Sequence, residues 1–128
     1  MLRIAVLDDY QNKSLHAANW ESISEVQIKV FTEFLGHDTD RIAEALAPFD
    51  IIVAMRERTR FPARLLIALP NLKLLVTAGM RNGAIDMVVA RQQNIDVCGT
   101  DMLPYPAFEH TWALILALVK ELPKEDRV

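Results

Sequence analysis

An open α/β sheet with five parallel strands in the order 2-1-3-4-5 and helices on both faces is the fold that this 128-residue sequence predicts. Three observations carry the expectation. Short apolar runs alternate with stretches of helical periodicity five times at close spacing, the pattern of repeated strand–helix–strand units. The runs Ile4–Leu7, Ile51–Ala54 and Leu74–Val76 are continuously apolar, as parallel strands covered on both faces read. Each of them ends in polar or glycine-bearing sequence, where the carboxyl end of a strand would open on a crevice.

Ile4, Ala5, Val6 and Leu7 form the first strand and end at Asp8-Asp9. Leu15, Ala18 and Trp20 predict a short helix, and Val26, Ile28 and Val30 alternate with Gln27 and Lys29 as a half-buried edge strand does. Asp38 or Thr39 caps a helix through Ile42, Ala43, Ala45 and Leu46, which Pro48 stops because it lacks an N–H. After the third strand, Ile51–Ala54, Pro62 suits the first turn of a helix whose apolar face is Leu65, Leu66 and Leu69. The stretch from Leu72 to Thr100 then reads as strand, loop, helix and strand. Gly79 and Gly83 bracket Met80-Arg81-Asn82, so the backbone can turn sharply there and offer N–H groups beside a fixed cation. Ile85, Val88 and Val89 give that unit's helix its apolar face, and Ile95, Val97 and Cys98 form the fifth strand. A long helix from Pro106 to Leu122 follows. Phe108, Trp112, Ile115, Val119 and Leu122 make one apolar stripe on it, Ala107, Thr111, Leu114 and Leu118 a second, and the sheet can cover only one side.

Composition narrows the function classes. A chain of this length makes one domain, residues 1–123, with a charged tail at 124–128, and removes roughly two-thirds of its unfolded surface from water. The net charge of −3 gives no reason to bind nucleic acid or an acidic membrane. The longest uncharged run, Thr111 to Val119, falls far short of the roughly 20 residues that span a bilayer. The single cysteine, Cys98, allows no internal disulfide and suits a reduced, cytoplasmic chain. Nothing basic adjoins it in sequence to make it a reactive thiol.

From LRIAVLDDY through MRERT and the Leu72–Thr100 unit to PAFEHTWALILALVKELP, the chain resembles the substrate-binding domain of the D-isomer-specific 2-hydroxyacid dehydrogenases. Gly79 matches the first glycine of that family's loop, with Arg81 and Gly83 at the later positions, and Ile85-Asp86 matches its downstream Ile-Asp pair. The resemblance implies a flavodoxin-like fold. It also implies hydride transfer between NAD or NADP and a small 2-oxo or 2-hydroxy carboxylate in the full-length protein, with cofactor and acid–base residues supplied by a second domain, into which the last helix would lead. The chain alone is expected to be inactive and to hold no cofactor: its four glycines, at 36, 79, 83 and 99, form no Gly-x-Gly-x-x-Gly fingerprint.

Three constellations are candidates for chemistry. Asp8-Asp9 stands where response-regulator receivers bind magnesium, and Thr77-Ala78 mimics their threonine. Met55-Arg56-Glu57 replaces the phosphate-accepting aspartate, however, and Gly99-Thr100-Asp101 the lysine-proline, so the two are read as solvated carboxylates at a strand end. The basic loop Arg56-Glu57-Arg58-Thr59-Arg60 should lie beside Met80-Arg81-Asn82 outside the carboxyl ends of the strands, where open α/β sheets bind ligands. A guanidinium there can grip a carboxylate with two parallel hydrogen bonds. The expected substrate-binding set is therefore Arg56, Glu57, Thr59, Ala78, Gly79, Met80, Arg81 and Asn82, with Arg56 and Arg81 foremost. The alternative is that these arginines are solvated or pair with Glu57 and Asp86. Glu109 and His110 point about 100° apart on a helix, too far to act on one atom, and read as polar residues in the first turn of a buried helix. His16 and His37 stand alone in surface segments, and no metal-ligand spacing occurs.

Two functions follow. One is the substrate-binding domain of a larger D-2-hydroxyacid dehydrogenase-like oxidoreductase. The other is a stand-alone interaction module that keeps the fold without the activity. Either is expected to form a homodimer through the apolar helix 106–122.

Overall fold

Five parallel strands run side by side: β1 (Leu2–Val6), β2 (Val26–Val30), β3 (Ile51–Ala54), β4 (Leu74–Thr77) and β5 (Asp96–Gly99). Their order, β2-β1-β3-β4-β5, is the one expected from the sequence. The computed structural model describes residues 1–127; Val128, the end of the expected tail, lies outside them.

The register separates two unlike faces. Ala5, Ile52, Leu75 and Val97 stand opposite one another across β1, β3, β4 and β5, and belong to the core with Leu46, Phe61, Leu65 and Leu66. Burying each such large side chain contributes about 1.5–3 kcal/mol. This face carries α2 (Thr39–Leu46), α3 (Ala63–Ile67) and α4 (Met87–Gln92), which pack in sequence against one another. On the other face, Ile28, Val30, Ile51, Val53, Leu74 and Val76 are only half-buried. Right-handed crossover sends the β1–β2 connection to that side, and it is a thin one.

That connection departs from the single helix expected around Leu15, Ala18 and Trp20. It contains α1 (Ser14–Ala17) and a separate 3₁₀ turn (Trp20–Ser22), because Ala18 is extended between them. The Trp20 indole N–H donates to the Ser14 carbonyl at 2.9 Å and ties the pieces together. In α2, Asp38 is the cap and accepts from the N–H groups of Asp40 and Arg41. Pro62 caps α3 from just outside it. The inward face of α4 is Ala90 and Val89, with Ile85 buried before the helix, whereas Val88 is 68% exposed. Asp86 caps the helix through Val89 N–H, so Ile85 is not helical and its three-residue spacing to Val88 selects no common face.

The last helix differs most from expectation. It ends at Val119 (α5, Pro106–Val119), Glu121 takes a left-handed conformation at φ 51°, and Leu122–Glu125 make a separate turn, α6. No residue of α5 is buried, and only Ala117 is partly so; Glu109 and His110 are exposed with the rest. The helix stands clear of the sheet because the chain leaving β5 is held at the carboxyl edge by Thr100 and Met102 instead of returning over the strands. None of the helices among the described residues is long and apolar enough to cross a membrane.

Asp50 clamps the opposite edge of the sheet. Its carboxylate accepts from Arg3 N–H at 3.0 Å and from Lys73 Nζ at 3.1 Å, linking the start of β3 to β1 and to the entry of β4. The Arg3 N–H bond first and the Lys73 bond second hold its pKa below the ordinary carboxylate value. A depressed folded pKa adds stability above the unfolded value, about 3.9, and that stability is lost as pH falls through the folded pKa. Urea midpoints of wild type and Asp50→Asn should therefore differ at pH 7 and draw together below about pH 4; a gap independent of pH would remove Asp50 from the acid response.

Candidate functional site

At the carboxyl edge, the end of β1 meets the loop after β3 in a buried polar contact. Asp8 is only 1% exposed, in a left-handed conformation at φ 58°. Its carboxylate accepts from Thr59 Oγ1 at 2.7 Å and from Tyr10 Oη at 3.2 Å. Arg58 donates to the Asp8 carbonyl at 2.8 Å and lies over the Tyr10 ring, 4.6 Å from its centroid. These groups occupy the gap between β1 and β3, the point where successive connections leave in opposite directions. The reading of Asp8 and Asp9 as a solvated pair is thus corrected, since adjacent residues diverge when one turns inward. Asp9 accepts from Lys13 and Ser14 N–H groups and starts α1, and the Ser14 bond above all lowers its pKa.

The expected meeting of the two loops occurs. Asn82 spends its side chain on it: Nδ2 donates to the Arg56 carbonyl at 2.6 Å and to Thr77 Oγ1 at 2.9 Å, and Oδ1 accepts from Ala84 N–H at 2.9 Å. Phe61 N–H donates to the Ala84 carbonyl and Asp86 N–H to the Phe61 carbonyl, at 2.8 and 3.0 Å, so a short bridge closes behind the loops. Arg56 sits at φ 52°, a conformation that costs a non-glycine residue about 1–3 kcal/mol unless its surroundings hold it; the Asn82 bond does so.

Gly79 shapes the other wall. Its φ is 94°, its N–H donates to Thr100 Oγ1 at 3.0 Å, and its carbonyl accepts from Thr100 N–H at 3.3 Å. A Cβ on Gly79 would lie 3.1 Å from the Met102 sulfur. A Cβ on Gly99 would lie 2.8 Å from the Gly79 oxygen and 2.9 Å from Met80 Cα, so β5 and this loop can touch only through glycine.

Between these walls is a cavity of about 350 Å³ lined by Thr77, Met80, Arg81, Asn82 and Gly83, with Met87, Val97 and Gly99 beyond them. Arg81 has no carboxylate within ion-pair distance among the described residues, because Asp86 is engaged in capping α4. Arg56 is exposed beside the cavity, 3.9 Å from Glu57 and 3.7 Å from the Met102 sulfur. An exposed pair at 3.9 Å contributes little and leaves the guanidinium available. Glu57 lines a neighbouring cavity of about 550 Å³ with Arg60 and Asp86. Of the expected set, Met80, Arg81 and Asn82 line the first cavity; Ala78 and Gly79 lead into its loop without lining it, Arg56 is tied to it through Asn82, Glu57 lines the neighbouring cavity, and Thr59 is buried on Asp8. The sequence reading missed Thr77, Thr100 and Met102 as supports; Thr100 and Met102 follow β5 where it meets the glycine loop. A larger concavity, about 930 Å³, runs along α4 and the exposed edge of β5, away from these convergent groups.

Residues 4–113 match the model of the D-isomer specific 2-hydroxyacid dehydrogenase catalytic domain. The chain belongs to this family. Its fold is similar to part of the phosphoglycerate oxidoreductase of Vibrio cholerae, with a TM-score of 0.79 and 35% identity over 91% of this chain and 37% of that one. A provisionally named D-3-phosphoglycerate dehydrogenase of Ralstonia solanacearum gives 0.82 and 30% over 96% and 37%. A provisionally named 2-hydroxyacid dehydrogenase of Staphylococcus saprophyticus is 28% identical over 71% of this chain and 29% of its own length. The family domain described here thus spans about a third of the length of these relatives.

The glycines make a sharp contrast. Gly99→Ala should force the Gly79–Met80 backbone away and lower stability by about 1–3 kcal/mol. Gly83→Ala, where a Cβ meets nothing within 4 Å, should stay within about 0.5 kcal/mol of wild type. Urea denaturation, with amide shifts of residues 79–80, reads both; equal effects would mean that the close approach at Gly99 is not a constraint.

Proposed function

We propose that residues 1–123 are the substrate-binding domain of a D-2-hydroxyacid dehydrogenase-like oxidoreductase, binding a small 2-oxo or 2-hydroxy carboxylate and not catalysing turnover alone. The observation that carries this is Arg81, a guanidinium without a carboxylate partner in a cavity walled by the Gly79 loop, with Arg56 beside it. Arg81 can take both oxygens of a carboxylate, and backbone N–H groups of the turn can take the remaining lone pairs. Met80 flanks the acid, Glu57 lies in the neighbouring cavity, and Thr59 and Asn82 support the loops.

In the full-length family, NAD or NADP supplies the hydride. The residues present here do not fit a dinucleotide: Gly79 N–H is already bonded to Thr100, and the four glycines lack the spacing that lets a pyrophosphate reach the backbone. The tail at 124–128 would then begin the passage to a nucleotide-binding domain. We assign the protein to the cytoplasm, a reading supported by its single cysteine.

Small carboxylates should bind with only millimolar affinity, since one charge-assisted contact is worth about 1.5–3 kcal/mol. Pyruvate or glyoxylate titrations followed by amide shifts should map to Ala78–Asn82 and Arg56, and Arg81→Ala should weaken binding about tenfold or more. Shifts that cluster elsewhere, or persist unchanged in the variant, would rule the site out.

A second reading, an oligomeric module of the same fold, is favoured by α5. Phe108, Trp112, Leu114, Ile115, Leu118 and Val119 are all exposed on one helix. Covering each would contribute about 1.5–3 kcal/mol, enough in sum to drive a homodimer through this helix in either reading. Sedimentation equilibrium at tens of micromolar should give a dimer for wild type and a monomer for a Trp112→Glu, Ile115→Lys variant; a monomeric wild type ends the proposal.

A further inference from the structure

A third cavity at the carboxyl edge lies on the far side of Arg58 and belongs to neither reading above. It is about 160 Å³ and is lined by Phe34, Gly36, His37, Thr39, Arg58 and Arg60, closed below by Ile42, Pro62 and Leu65. That volume is well under the roughly 300–1,000 Å³ of pockets for larger ligands, so the space suits a single compact group. Two arginines and a histidine line it, and no acidic residue does.

Each of the three side chains is presented by a different device. Arg58 is pinned by its bond to the Asp8 carbonyl and by stacking on Tyr10, which uses one N–H and leaves others on the fork. Arg60 has no carboxylate within ion-pair distance among the described residues. His37 is held edge-to-face on Phe34, with ring centroids 5.0 Å apart. The nearby acids are engaged elsewhere: Asp38 caps α2 by accepting from Asp40 and Arg41 N–H, and Asp40 takes Arg64 at 2.7 Å, while of the two acids that share the neighbouring cavity with Arg60, Glu57 lies 3.9 Å from Arg56 and Asp86 caps α4. Two like charges around one small space repel, and an oxyanion between them converts that repulsion into charge-assisted hydrogen bonds. Thr39 adds a hydroxyl.

We infer that the cavity between Phe34–Thr39 and Arg58–Arg60 is a binding site for a compact oxyanion of phosphate type, either free or as the end group of a small phosphomonoester. Arg60 and Arg58 grip its oxygens, Thr39 and His37 supply further donors, and Phe34, Pro62 and Leu65 offer an apolar rest for an ester's alkyl group.

The test titrates the 128-residue chain with inorganic phosphate at constant ionic strength, follows amide shifts, and repeats with methyl phosphate and with chloride alone. Saturable shifts at Gly36, His37, Thr39 and Arg60 that chloride does not reproduce are expected. Tighter binding of methyl phosphate would identify an ester end group, and equal binding a free ion. Arg60→Gln should weaken binding about tenfold, a loss of roughly 1.4 kcal/mol, and His37→Gln should weaken it less. Both positions are exposed, and the unchanged remainder of the spectrum reports that the variants fold. Arg81→Ala should leave phosphate binding within about twofold while it impairs pyruvate binding, so either site can fail without the other. Absence of saturation, shifts matched by chloride, or an Arg60→Gln variant that binds like wild type would overturn the inference.

Discussion

One buried hydrogen bond, from Thr59 to the Asp8 carboxylate, holds the carboxyl edge of this domain together. A carboxylate removed from water needs its lone pairs filled, and here the β3–α3 loop and Tyr10 fill them. The loop must therefore fold over the end of β1. That fold ties the Arg56 carbonyl to the glycine loop and places Arg60 between the two neighbouring cavities, with Arg58 locked on the Asp8 carbonyl. A charge-assisted contact of this kind contributes about 1.5–3 kcal/mol, comparable to one large core side chain, yet it decides where three guanidiniums stand.

The second wall depends on the absence of side chains. Gly99 lets β5 touch the Gly79–Met80 backbone, Thr100 then reaches the Gly79 amide, and Met102 covers Gly79 from outside. The loop is consequently fixed from both sides, by Asn82 on the β3 side and by Thr100 on the β5 side. Pre-set donors lose little freedom on binding, which matters for a small acid that makes few contacts.

The same anchoring explains the exposed helix. Holding Thr100 and Met102 at the edge directs the chain outward, so α5 does not return to the half-buried face made by Ile28, Val30, Val53 and Val76. Two apolar surfaces of one domain are thereby left with little cover. The chain spans about a third of its relatives' length, and any element that covered either surface would remove apolar area from water.

By itself the sequence determined the five strands, their order, a cap for α2 at Asp38 or Thr39 and the family, because continuous apolar runs, helical spacing and capping residues are local signals; that Asp86 caps α4 came from the structure. It also brought Arg56 and Arg81 to the same edge, since parallel strands place every such loop at their carboxyl ends. Only the tertiary structure decided that Asp8 turns inward while Asp9 faces out, that Thr59 and Asn82 are occupied by the fold, and that Val88 is exposed. It alone decided that Gly99 is a point of contact, that α5 leaves the sheet, and that His37 and Arg60 share a cavity. These depend on which groups from distant segments meet once the register is set. Periodicity carries no trace of that: a carboxylate reads the same in sequence whether its partner is water or a threonine fifty-one residues away.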